Sequence, residues 1–159
     1  MEAVEKTKKA ALRLLSFRPR SESELRQRLA MKKLPAEAID AVVEDLRREK
    51  MLNDEQFAKL YALSRIQSRT FGKDRVKREL VRRGLSTADV EGAMQSIADI
   101  DEYSVAEEMA KRKLATLKNV SQEARKRRLH GALLRRGFSS AVIYKVLGGL
   151  LGVGGDAGI

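Results

Sequence analysis

The chemistry this chain could do lies in its arginines and lysines. From Arg65 to Arg83 eight Lys or Arg stand against two acids: Arg65, Arg69, Lys73, Arg75, Lys77, Arg78, Arg82 and Arg83. From Lys111 to Arg136 the ratio is ten to one, in a run that includes Lys111, Arg112, Lys113, Arg125, Arg128, Arg135 and Arg136. A guanidinium is a planar fork that binds a carboxylate or a phosphate through two parallel hydrogen bonds. Arg18 and Arg20, with Ser21, form a smaller group that could clamp such an oxyanion. The acids sit elsewhere, at Glu44, Asp45, Glu49, Asp54, Glu55, Asp101, Glu102, Glu107 and Glu108. A binding face for a polyanion produces this segregation, and so does a solvated helical surface; charge alone weighs the two equally.

No constellation for covalent or metal chemistry is visible in the sequence. His130 is the single histidine, and there is no cysteine. Neither a G-x-x-x-x-G-K-[ST] string nor a G-x-G-x-x-G string in the right context occurs, so no phosphate-cradling loop is expected. The chain reads as a binding protein rather than an enzyme, with no metal and no cofactor. The first nine residues hold Glu2, Glu5, Lys6, Lys8 and Lys9, which is no signal peptide. The weakly polar stretch from Ala141 is broken by Lys145 and six glycines, which is no membrane span. No membrane contact and a cytoplasmic location are expected. A formal net charge of +11 favours a polyanionic partner.

The elements that must position these cations follow from an internal repeat. Leu25 to Val43, Val76 to Met94 and Leu129 to Leu147 align without a gap at offsets of 51 and 53. Apolar positions coincide: Leu25, Val76 and Leu129; Leu29, Leu80 and Leu133; Leu34, Leu85 and Phe138; Ile39, Val90 and Ile143; Val43, Met94 and Leu147. A period near fifty residues signals stacked helical units, each too small to bury its apolar face alone. The fold class expected is all-α: three tandem three-helix repeats in an elongated, curved array. The modules are placed at 1–51, 52–100 and 101–150, with a flexible glycine-rich tail at 151–159. Three similar units without a dimerisation helix suit a monomer.

Punctuation along the chain supports nine helices. Ser21-x-x-Glu24 has the spacing of a capping box, and Pro35 suits the first turn of a helix. Asn53 or Asp54 caps a helix carrying Phe57, Leu60, Tyr61 and Ile66. Phe71-Gly72-Lys73 breaks the chain before the next. Ser86, Ser121 and Ser139 or Ser140 open later ones, a helix from Tyr103 runs to about Lys118, and the last ends near Leu147. Gly84 and Gly137 follow last turns, where a left-handed residue favours glycine. Arg75, Arg78 and Arg82 fall at three- and four-residue spacing on one helix face.

Four stretches resemble the RecX family, bacterial regulators of the RecA recombinase. They are Ala10 to Leu25 (AALRLLSFRPRSESEL), Leu52 to Ala58 (LNDEQFA), Gly72 to Leu85 (GKDRVKRELVRRGL) and Leu133 to Ser140 (LLRRGFSS). Each is weak alone; in this order and at these separations they are specific. The resemblance implies binding in the helical groove of the RecA–DNA filament, with inhibition of its ATPase, strand exchange and co-protease activities, and so a role in recombinational repair and the SOS response. It also implies weak, sequence-independent contact with single- or double-stranded DNA. It tips the basic residues towards a RecA/DNA-binding face, whereas Ser21, Phe57, Gly84 and Gly137 read as structural. The alternative is an autonomous helix–turn–helix-like DNA-binding protein built around Arg82-Arg83-Gly84-Leu85.

Overall fold

The structure, a computed structural model, describes residues 1–152. These form nine helices and no strand: α1 Glu2–Phe17, α2 Glu22–Met31, α3 Ala36–Arg48, α4 Asp54–Arg69, α5 Lys73–Arg82, α6 Thr87–Ser96, α7 Glu102–Leu114, α8 Gln122–Arg135 and α9 Ser140–Leu151. Two compact units divide the chain. Unit 1 comprises Met1–Tyr61 and Glu79–Ser96; unit 2 comprises Ala62–Arg78 and the chain from Ile97. The division passes through α4 and α5, so these two helices contribute to both units, while α6 lies in unit 1.

Helix starts follow side-chain chemistry. Ser21, Asn53, Ser86, Ser121 and Ser139 each accept a hydrogen bond from the backbone N–H three residues on, at 3.1 to 3.3 Å. Asp101 accepts from Tyr103 N at 3.1 Å. Each contact satisfies one of the N–H groups a helix start leaves open. The capping box expected at Ser21 forms only half. Its serine caps, but the Glu24 carboxylate pairs with Arg18 and Arg83 instead of turning back to Ser21 N. The charges of two guanidiniums attract the carboxylate more strongly than one backbone amide does.

Helix ends repeat one device. Lys33, Gly84 and Gly137, equivalent in the repeat, all have positive φ, at 60, 78 and 87°. In each, the left-handed residue's N–H returns to the carbonyl three back (Ala30, Val81, Leu134), and the next N–H to the carbonyl five back (Leu29, Leu80, Leu133). This double bond closes the helix end as a Schellman motif, and a Cβ at the left-handed residue costs about 1 kcal/mol. The first copy carries that cost at Lys33. Lys33→Gly is therefore expected to raise the unfolding free energy by about 0.5–1 kcal/mol in a urea melt; a fall would mean that the lysine side chain stabilises this turn.

Each unit has its own apolar core. In unit 1, Leu25 and Leu29 of α2 meet Ile39, Val42, Val43 and Leu46 of α3, with Ala11 of α1 and Leu52. In unit 2, Leu129 and Leu133 of α8 meet Ile143, Val146 and Leu147 of α9, with Ala106, Met109 and Ala110 of α7, Leu117 and Phe138. Leu25, Leu29, Leu129 and Leu133 are fully buried, as the shared apolar register requires. Three details differ from the sequence reading. On α4 the buried positions are Ala58, Ala62 and Ile66, while Leu60 is 59% exposed; the four-residue spacing, not residue size, sets the inward face. Helix α7 stops at Leu114, and turns carry Leu117 into the core. Helix α9 continues through Gly148 and Gly149 to Leu151, where Gly152 ends it with φ 67°. Of the expected tail, residues 153–159 lie outside the described residues.

Candidate anion-binding site

The link between α1 and α2 packs against the α5–α6 turn within unit 1. The buried Ser21 both caps α2 and donates its hydroxyl to Arg83 O at 2.8 Å. A Cβ on Gly84 would lie 2.3 Å from Ser23 Oγ, so this approach requires glycine as well as the left-handed φ. Glu24 lies between two arginines: Arg18 Nη1 is 3.0 Å from Oε2, and Arg83 pairs with Oε1. The Arg83 guanidinium also lies 4.6 Å from the Tyr61 ring centroid. Burial opposes its charge, but hydrogen bonds with Tyr61 and Glu24 outweigh that and hold its pKa above the usual arginine value. Arg20 Nε donates to Leu14 O at 3.1 Å and closes the end of α1.

Unit 2 repeats this joint with different charge. Here the α4–α5 link packs on the α8–α9 turn, and Gly72 N donates to Arg136 O at 2.6 Å. A Cβ on Gly72 would lie 2.3 Å from Gly137 O; one on Gly137 would lie 2.2 Å from Arg75 Cβ. By the repeat offsets Arg69 replaces Arg18, Gly72 replaces Ser21, and Arg136 replaces Arg83. Arg75 replaces Glu24. The Arg75 guanidinium covers the Phe71 ring at 3.7 Å, with that of Arg136 at 5.7 Å. Arg75 Nη1 donates to Arg135 O, and Arg136 Nη1 donates to Arg69 O and to Thr70 Oγ1.

The two equivalent arginines respond in opposite senses. Arg136 is pushed below the usual arginine value, by burial first and then by the charges of Arg75, Arg112 and Arg69. A carboxylate between the arginines stabilises the charge in unit 1; neighbouring cations oppose it in unit 2. These cations border a cleft of about 690 Å³ lined by Ser68, Arg69, Thr70, Arg75, Met109, Arg112, Lys113, Ala132, Arg135 and Arg136. No carboxylate is among these described lining residues. Arg112 Nη2 lies 3.6 Å from Glu108 Oε1, both largely exposed, an ion pair that water and salt screen strongly.

The structure thus gathers Arg69, Arg75, Arg112, Arg135 and Arg136 from two separate basic runs, together with Lys113. Other expected contact residues lie elsewhere or are engaged in the fold. Arg125 donates to the carbonyls of Leu117 and Lys118, both at 2.9 Å, and so ends the α7 segment. Lys73 Nζ donates to Ala98 O, and its backbone N–H to Glu102. Lys111 pairs with Glu107 one turn away. Lys77 and Arg78, both exposed, border a shallower depression beside Gly137 and Phe138. Arg82 and Arg128 are exposed, and Arg65 is half-buried. Phe57 is half-buried and stacks on Tyr61, ring centroids 5.7 Å apart. The exposed His130 lies beside Lys126 and Arg127. Thr70 and Phe71 were not among the expected contacts. The available signal was an aromatic beside a glycine at the break between two helices.

Comparison with known proteins agrees with this modular plan. Residues 8–46 match the model of the first RecX three-helix domain, residues 53–94 the second, and residues 100–147 the third. Regulatory protein RecX of Amycolatopsis mediterranei is 32% identical over 149 residues, covering 92% of this chain and 83% of that protein. The protein of the same name from Thermobifida fusca is 31% identical over 136 residues, covering 86% and 74%. The crystal structure of RecX from Lactobacillus salivarius superposes with a TM-score of 0.78 at 21% identity, over 94% of this chain and 97% of that one. That of another regulatory protein RecX gives 0.80 at 22%, over 91% and 72%. With all three modules matched in order and relatives above 30% identity over most of its length, the chain belongs to the RecX family.

Proposed function

We propose that this protein is a non-enzymatic, monomeric regulator in the cytoplasm. It binds the RecA–DNA filament and inhibits its ATPase, strand exchange and co-protease activities, and so modulates recombinational repair and the SOS response. The observation that carries the reading is the coincidence of three RecX modules with a cationic cleft, formed by residues of the second and third, that has no acid among its described lining residues. A nucleoprotein filament presents many phosphates and carboxylates at fixed spacing, which arginines on a rigid helical scaffold can engage. Holding such a filament in one arrangement opposes the rearrangement that accompanies ATP turnover, and it requires no chemistry from the regulator.

The helix–turn–helix alternative is disfavoured by the helix after the Gly84 turn. Helix α6 carries Asp89 and Glu91 and no Lys or Arg, so it would bring negative charge into a DNA groove. The test is the DNA-dependent ATPase of RecA filaments at physiological salt. Addition of less than one regulator per RecA is expected to suppress turnover; unchanged turnover overturns the reading.

A further inference from the structure

The two joints are a comparison made within one molecule. In unit 1, two arginines of the joint hold an oxyanion, the Glu24 carboxylate, whose side chain is only 13% exposed. That pair demonstrates what the joint's geometry accepts: one oxygen from the helix link side, one from the turn side. In unit 2 the link meets the equivalent turn carbonyl through a backbone N–H, Gly72 N to Arg136 O, where unit 1 uses the Ser21 hydroxyl, and arginines again stand at the two flanking positions, Arg69 and Arg136. The carboxylate position is now Arg75, and the α7 residues Arg112 and Lys113 and the α8 residue Arg135 add to the charge around an open cleft.

We propose that the unit 2 cleft of Arg69, Thr70, Arg112, Lys113, Arg135 and Arg136 takes the phosphate backbone of a single nucleic-acid strand, and that the unit 1 joint, already occupied by Glu24, takes none. The inference rests on the reading above only in that the protein meets nucleic acid.

Charge density favours a strand over an acidic protein segment. In unit 1 a single carboxylate is matched by two arginines; the unit 2 cleft concentrates six cations without an acid among the lining residues. Closely and regularly spaced charges balance such a density better than isolated carboxylates do, and release bound counterions when they do so. Of the aromatic rings at the joint, Phe138 is buried and Phe71 has the Arg75 guanidinium 3.7 Å from its centroid, which closes that face to a stacking base. Contact through phosphates alone carries no sequence preference.

The experiment is anisotropy of a labelled oligothymidylate with the full chain, without RecA, across a salt series. Arg112→Glu and Arg69→Glu are compared with Lys9→Glu, an exposed α1 residue with the same change of charge. Each cleft variant is expected to weaken binding roughly tenfold at about 0.1 M salt and to flatten the slope of log affinity against log salt by about one. Lys9→Glu, the same change of charge outside the cleft, is expected to change affinity by no more than about twofold. Cleft variants that bind like Lys9→Glu, with melting curves unchanged, overturn the proposal. If they keep oligonucleotide affinity but lose inhibition of the RecA ATPase, the cleft takes protein carboxylates, and the proposal is again overturned. If they lose oligonucleotide affinity while the unmodified protein fails to inhibit RecA, the phosphate site stands and the filament reading falls.

Discussion

Gly137→Ala is expected to lower the unfolding free energy by about 2–5 kcal/mol. Two costs combine. The residue has φ 87°, where an L side chain meets its own backbone, at about 1–2 kcal/mol. The new Cβ would also lie 2.2 Å from Arg75 Cβ, 2.5 Å from Arg75 N and 2.8 Å from Arg75 Cα. Those atoms belong to a helix start and cannot swing aside, so the link and the turn must separate. Separation weakens the Gly72 N to Arg136 O hydrogen bond and moves two cleft arginines. Gly131→Ala is the control. Its Cβ would meet only the tip of Arg135, at 3.1 Å, inside helix α8, where alanine is favoured by roughly 0.5–1 kcal/mol. Urea melts of both variants decide the matter: if Gly137→Ala is as stable as the parent protein, the close packing of link on turn described here does not form.

Glu24→Gln is expected to cost roughly 1–3 kcal/mol, because it leaves two guanidiniums without their shared carboxylate. Arg83, with only 26% of its side chain exposed, bears most of that cost, while the more exposed Arg18 is screened. The loss should shrink at high salt and should be offset in part by sulfate, whose oxygens can take the place of the carboxylate. The same variant makes unit 1 resemble unit 2 in charge, with two arginines and no anion between them. An accompanying gain in oligonucleotide affinity, read by anisotropy, is therefore expected. A variant as stable as the parent at low salt, with no response to sulfate, would show that Glu24 is not what balances these arginines.

Much of the architecture was legible in the residue pattern because it depends on local rules. The apolar register at Leu25, Val76 and Leu129 and at Leu29, Leu80 and Leu133 places these six positions in the core, and all are fully buried. Serine and asparagine caps announce helix starts because their acceptors reach only their own first turn. Gly84 and Gly137 announce left-handed ends because a Cβ is disfavoured there. The equivalent Lys33 shows the limit of that rule: position in the repeat, not residue type, identified the same turn.

The distribution of the arginines' work could not be read in this way. Arg83 meets Glu24 across 59 positions of sequence, and Arg136 meets Thr70 across 66. Arg20 and Arg125 donate to carbonyls that become available only because α1 and α7 end where they do. Sequence counts every guanidinium alike, since charge and donor number are properties of the residue. Whether a guanidinium closes a helix, pairs with an internal carboxylate or faces a cleft depends on distances of a few ångströms, which only packing sets. Composition and periodicity therefore dictated a basic array of helical modules. Folding decided that one joint pairs its arginines with the internal carboxylate of Glu24, while its counterpart, with Arg75 in that position, gathers cations from two distant runs around an open cleft.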